Sequence, residues 1–219
     1  MKRIVVEKKI LEKNDDIANQ IRKTLDSNHI FGLNVMSSPG AGKTTLIERM
    51  VEIFKSKYKI AAIDGDLDTQ RDAQRIAALG IETVQINTSG ACHLDSSMVY
   101  KALNDITLDL DLLIIENVGN LVCPASFYLG THKNVVLIST PEGDDKVKKY
   151  PTMFNVADVV LINKTDIAQF VKFDVEKVEN EIKELNPHAL IYKISALKND
   201  GLEPFLSWVE SNIVSVKNQ

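Results

Sequence analysis

A chain of 219 residues, 44% of them hydrophobic, suits one α/β domain with a sizeable core. Its net charge of −4 gives no basic surface for nucleic acid, and no apolar run is long enough to cross a bilayer. The opening Met1-Lys2-Arg3-Ile4-Val5-Val6-Glu7 turns charged too soon for a signal peptide, and two cysteines are too few for a disulfide framework, which points to a reducing cytoplasm.

In chain order, residues 1–13 read as a short strand or loose arm, and Asn14-Asp15-Asp16 as the cap of a helix carrying Ile17, Ile21 and Leu25. An apolar run over 31–36 predicts a strand. After a glycine-rich loop, Leu46, Met50, Val51 and Phe54 repeat at helical spacing. A buried strand over 59–63 leads into the acidic stretch 64–68. A helix over 71–79 closes at Gly80, a strand covers 82–86, and a loop over 87–95 precedes a helix over 96–106. Strands are then expected over 111–116, 134–140, 157–163 and 189–195, with helices over 174–185 and 203–213. This alternation predicts a P-loop NTPase three-layer fold: α/β, with a mostly parallel central sheet. The chain reads as a single domain over 1–219, with residues 1–30 an amino-terminal extension whose helix packs on it.

The stretch Ser37-Ser38-Pro39-Gly40-Ala41-Gly42-Lys43-Thr44-Thr45 joins that first strand to the next helix. Strand, glycine loop, Gly-Lys-Thr and helix together make a phosphate-binding loop, although Ser37 stands where the generic pattern begins with Gly. Backbone N–H groups from Gly40 to Thr45, in the loop that Pro39 opens, and the positive helix start suit a di- or triphosphate. Lys43 reaches the β- and γ-phosphates, and the Thr44 hydroxyl is placed for Mg²⁺.

Glu116-Asn117-Val118-Gly119 occupies the place of the Asp-x-x-Gly that holds Mg²⁺ and senses the γ-phosphate. Asp66 is the expected second carboxylate, with Asp64 and Asp68 as alternatives, so Lys43, Asp66 and Glu116 form the expected catalytic set. Asn120, not Gln, follows Gly119, which leaves the attacking water without an assigned residue and points to slow hydrolysis.

Asn163-Lys164-Thr165-Asp166 falls at a strand end, where ligands bind in such sheets. A carboxylate at Asp166 accepts from guanine N1–H and the 2-amino group together, whereas adenine would leave the acid unpaired. Asn163 and the Lys164 stem support the loop and cover the ring. Ser195-Ala196-Leu197 fits the backbone loop that donates to guanine O6.

Cys92, His93 and Cys123 fall in loops after strands of the same sheet and are soft ligands suited to zinc, nickel or copper. Three ligands fall short of a four-coordinate shell, and adjacent side chains are expected to diverge, so Cys92 and His93 need not share one ion. A second copy of the chain or water could complete the shell.

Five segments together resemble the HypB family: Ser-Ser-Pro-Gly-Ala-Gly-Lys-Thr-Thr, Asp64-Gly65-Asp66, Gly90-Ala91-Cys92-His93-Leu94-Asp95, Glu116 to Pro124, and Asn163-Lys164-Thr165-Asp166. The resemblance covers nearly the whole chain. It implies a GTPase of the SIMIBI class that forms a homodimer with nucleotide and assists nickel insertion into [NiFe]-hydrogenase. It further implies a Ni²⁺ or Zn²⁺ site built from Cys92, His93 and Cys123, and as partners the hydrogenase large subunit and other nickel-insertion accessory proteins. Many relatives carry an amino-terminal Cys motif or His-rich tract that captures or stores nickel; with no Cys or His before His29, a storage role is not expected of these residues. Two other functions fit the residues less well. One is a urease accessory GTPase, which uses Cys-Pro-His where this chain has Cys92-His93. The other is an assembly module that dimerises on nucleotide and hydrolyses it little.

Overall fold

The computed structural model describes residues 6–66 and 70–219, the side chains of 6–8 apart. Seven strands form one sheet: β1 (Phe31–Ser37), β2 (Ile60–Asp66), β3 (Glu82–Asn87), β4 (Leu112–Glu116), β5 (Lys133–Ser139), β6 (Val159–Asn163) and β7 (Leu190–Lys193). They lie in the order β3-β2-β4-β1-β5-β6-β7, and every pairing is parallel. A strand with neighbours and helices on all sides has no polar face to show, and all seven residues of β1 are buried.

Helices cover both faces. α2 (Lys43–Phe54), α3 (Arg71–Ala77) and α8 (Glu203–Lys217) bury Met50, Val51, Ile76 and Phe205 against Leu33, Val35 and Ile114. On the opposite face, α1 (Val6–Ser27) and α4 (Ser96–Leu103) pack Ile21, Leu25 and Val99 against Ile63, Leu113 and Ile115. Farther along that face, the short helices α5 (Lys146–Lys149) and α6 (Pro151–Asn155), with α7 (Val175–Leu185), pack Val147, Phe154 and Ile182 against Val136 and Ile162.

A polar seam runs on this second face. Asn34 on β1 donates to Asn134 Oδ1 at 3.0 Å and accepts from Asn117 Nδ2 at 3.3 Å. A fully bonded amide relay of this kind is tolerated where an unpaired one would cost about 1–3 kcal/mol.

Two expectations fail at the amino end. Of the strand or arm expected over 1–13, residues 1–5 lie outside the described residues, and 6–13 are the first turns of α1, which runs through Asn14 without interruption. Asn14 therefore caps nothing. Its buried side chain donates to the Tyr128 carbonyl at 2.8 Å and accepts from Ser96 N at 2.9 Å, pinning α1 to the start of α4. The cap chemistry of Asn is equally good for bonding a neighbouring element, and packing against α4 decided which. Elsewhere strand limits shift by at most three residues, the most at the end of β2, and α8 runs to Lys217. The short helices α5 and α6 fall in a stretch whose apolar residues are too few to show a helical period.

Because all strands are parallel, their carboxyl ends share one edge of the sheet. That edge carries 37–45, 64–66, 87–95, 116–124, 163–166 and 195–197. β1 lies between β4 and β5, so chain order reverses at its end, the place where such sheets bind ligands.

Candidate nucleotide and metal sites

β1 ends at Ser37 and α2 begins at Lys43; the loop between them wraps a cavity of about 420 Å³. Gly42 precedes the helix at φ +105°, and a Cβ there would stand 2.5 Å from Asn163 Nδ2, so only glycine fits. Lys43 is buried with its ammonium donating to Ser37 Oγ at 3.2 Å. The Thr44 hydroxyl donates to Glu116 Oε1 at 2.9 Å. Gly119 lies against the loop from the other side: a Cβ on it would sit 3.0 Å from both Cα and N of Pro39.

Across the cavity stand the acids. Asp64 on β2 and Glu116 on β4 are direct register partners, 1% and 4% exposed. Asp64 Oδ2 and Glu116 Oε2 have no hydrogen-bond partner. Burial pushes the Glu116 carboxyl up to about 8 and that of Asp64 up to about 6. Two buried acids with idle oxygens beside a phosphate loop and a threonine hydroxyl are the donor set of a hard divalent cation. Asp66 lines the same cavity two residues farther out, on the same side of the strand as Asp64. Asp68 lies outside the described residues. The carboxylate in register with Glu116 is thus Asp64, and Asp66, half-buried, lines the cavity with it.

The sequence reading missed Asp72 and Arg75 of α3, which also line the cavity. Arg75 pairs with Glu48 Oε2 at 2.7 Å and Asp72 at 3.1 Å, and its guanidinium reaches Thr45 Oγ1 at 3.4 Å. Their i, i+3 spacing looks like an ordinary surface pair; only the proximity of α3 to α2 gives it a place in the site.

The candidate base pocket lies at the carboxyl ends of β6 and β7. Asn163 is buried and splits its amide, donating to Ala41 O at 2.8 Å and accepting from Ala196 N at 3.0 Å. It therefore ties the phosphate loop to 195–197. Lys164 adopts a left-handed backbone (φ 62°) and its ammonium donates to Gly40 O at 2.6 Å. Ser195 Oγ donates to Asp166 Oδ1 at 2.7 Å, which aims the carboxylate into a cavity of about 210 Å³ walled by Ala196 and Leu197. The Ala196 amide expected for a base carbonyl is engaged by Asn163.

Cys92, His93 and Cys123 converge: one ligand atom from each lies within 4.8 Å of the other two. The two sulfurs are 2.9 Å apart, and Cys92 Sγ is 3.8 Å from His93 Nδ1. The expectation that Cys92 and His93 diverge does not hold. Alternation applies to strands, and this segment is a turn bent by Ser89 (φ 50°) and Gly90 (φ 95°). The His93 ring stacks on Phe127 with centroids 3.9 Å apart, and burial lowers its pKa, which keeps a nitrogen lone pair free at neutral pH. A bond from Cys92 raises the Cys123 thiol, helped by burial. Two sulfurs and an imidazole fit a soft or borderline ion. Cys123 opens a short 3₁₀ turn (Cys123–Ser126), on the same segment that begins at Glu116.

Residues 32–193 match the family model described as CobW/HypB/UreG, nucleotide-binding domain. The chain is 44% identical over 213 residues to the probable hydrogenase maturation factor HypB of Methanocaldococcus jannaschii, covering 97% of this chain and 96% of that one. It superposes on the crystal structure of HypB from Helicobacter pylori in complex with nickel with a TM-score of 0.88 and 43% identity, covering 93% and 96% of the two chains. The crystal structure of HypB from Archaeoglobus fulgidus gives a TM-score of 0.87 and 39% identity, covering 92% and 99%.

The buried acids set a pH dependence. Glu116 holds its proton more tightly when folded (about 8) than at the ordinary value of 4.5, so its stabilising contribution is full below pH 4.5 and is lost as pH rises through 8. The imidazoles of His93 and His132, lowered by burial, act in the opposite sense at lower pH. Without divalent cation, the thermal midpoint should fall between about pH 6.5 and 8, and Glu116→Gln, which keeps the Thr44 acceptor, should flatten that fall. A Glu116→Gln profile as steep as wild type would count against the assignment.

Proposed function

The chain belongs to the CobW/HypB/UreG nucleotide-binding family, within its branch of HypB hydrogenase maturation factors, and from that premise we propose that it is a GTP-hydrolysing metallochaperone that helps deliver nickel to [NiFe]-hydrogenase. The observation that carries this reading is the convergence of Cys92, His93 and Cys123 on the segment that also supplies Glu116 and Gly119 to the nucleotide cavity.

Guanine selection rests on Asp166, oriented by Ser195, with the Lys164 stem over the ring. Phosphates lie on the backbone from Pro39 to Thr45, and Lys43 meets the charge that grows on the transferring group. Thr44 and Glu116, with Asp64 or Asp66, would hold Mg²⁺, which neutralises the β- and γ-oxygens when bound. No glutamine follows Gly119, so hydrolysis is slow in the chain alone. Nickel is the cargo, held by Cys92, His93 and Cys123; zinc suits the same donors. A second copy completes the shell in a nucleotide-bound homodimer. The partners are the hydrogenase large subunit and other nickel-insertion proteins, in the cytoplasm. Among the described residues no helix is long and apolar enough to cross a membrane.

Two substitutions test the nucleotide half. Asp166→Asn should weaken GTP binding and favour xanthosine triphosphate, whose 2-position accepts a hydrogen bond; competition binding that still prefers GTP would refute the base assignment. Lys43→Ala, checked for folding by circular dichroism, should lower single-turnover GTP hydrolysis by about 10²–10³-fold, in line with loss of one preorganised electrostatic contact. Hydrolysis at the wild-type rate in that variant would remove Lys43 from the chemistry.

A further inference from the structure

Asn120 stands where a water-orienting glutamine would follow Gly119, yet it does not line the phosphate cavity. It lines a neighbouring hollow with Ser38, Pro39 and Leu121. Its backbone N–H donates to the Ser37 carbonyl at 2.8 Å, at the end of β1 where the phosphate loop begins. Its side chain faces the other way. Nδ2 donates to the Cys92 carbonyl at 3.2 Å, and Oδ1 accepts from Val122 N at 2.8 Å, one residue before Cys123.

One amide thus holds the backbones of both cysteine-bearing loops, and its own backbone is fastened to the phosphate loop. A side-chain amide offers a donor and an acceptor on one short planar group, and the spans here suit Asn. Asn117 also bonds the His93 loop, accepting from Leu94 N at 3.2 Å, but its other end is anchored to Asn34 in the sheet. It lies before Gly119 and is fixed to the core. Asn120 lies after Gly119 and connects the two cysteine loops to it.

We propose that Asn120 is a positioning residue that couples the setting of Gly119 to the spacing of Cys92 and Cys123. This rests on the reading that those cysteines bind metal and that the cavity beside Gly119 binds nucleotide. A shift of Gly119 moves the Asn120 backbone. The side-chain amide then drags the Cys92 carbonyl and the Val122 amide, and the sulfur separation changes with them. Metal affinity depends on ligand geometry, and removal of an outer hydrogen-bonding partner commonly costs about 10–100-fold.

The test uses the full chain as wild type, Asn120→Ala, Asn120→Asp and Cys123→Ser. Nickel alone, and separately zinc alone, is titrated against a chromophoric chelator in the presence of GDP and of a non-hydrolysable GTP analogue. Wild type should show metal affinities that differ between the nucleotide states by about 5-fold or more. Asn120→Ala should still bind one metal ion and GDP, but the ratio between states should fall to about one, a readout that mere loss of stability does not move. Asn120→Asp keeps the acceptor for Val122 and loses the donor to Cys92, so the ratio should collapse there too; it serves alone if the alanine variant loses GDP binding. Either Asn120 variant retaining the wild-type ratio overturns the proposal, as does a wild type that binds both ligands with equal metal affinity in the two states. Failure of the underlying reading looks different: wild type binding neither metal, or Cys123→Ser binding metal as tightly as wild type.

Discussion

Glu116 is the constraint on which the site depends. It terminates a strand whose five residues are all buried, so its carboxylate is carried into the interior by the register of β4 between β1 and β2. Thr44 meets it there, and Asp64 arrives beside it from β2 with an idle oxygen of its own. Desolvation holds both carboxyls protonated to unusually high pH. A fold seldom keeps such a pair without a partner cation, because each unsatisfied buried group costs about 1–3 kcal/mol or more. The proposed magnesium nucleotide is the partner that the geometry leaves room for.

The same register places the segment after Glu116. Residues 117–124 pass under the phosphate loop, so close at Gly119 that a Cβ would press on the Pro39 backbone, and emerge at Cys123 beside Cys92. The proposed nucleotide and soft-metal sites therefore share one short segment, one at each end. The relay from Asn34 through Asn117 to Leu94 fixes the near end to the sheet.

Much of this was legible in the sequence. Apolar runs bounded by glycine, acid or amide residues marked the strands, since parallel strands buried on both faces need not alternate. Lys43, Thr44, Glu116 and Asn163 could be placed because each sits at a fixed offset from a strand end. Other features were hidden for physical reasons. Asn14 bonds across to Ser96, 82 residues away, and nothing local distinguishes that from a helix cap. The convergence of Cys92 and His93 depends on a bent turn and not on spacing. That Asp64 lies in register with Glu116 is a matter of inter-strand pairing, which a single chain position does not reveal.

The claim that the acid pair awaits a magnesium nucleotide has a direct measurement: calorimetric titration of magnesium GDP at pH 7 in two buffers of different ionisation enthalpy. A carboxyl raised to about 8 is mostly protonated at that pH and must lose its proton as the cation arrives. The expected result is release of about one proton per site in wild type, abolished in Glu116→Gln. Binding with no proton release, or with the same release in the variant, would contradict it.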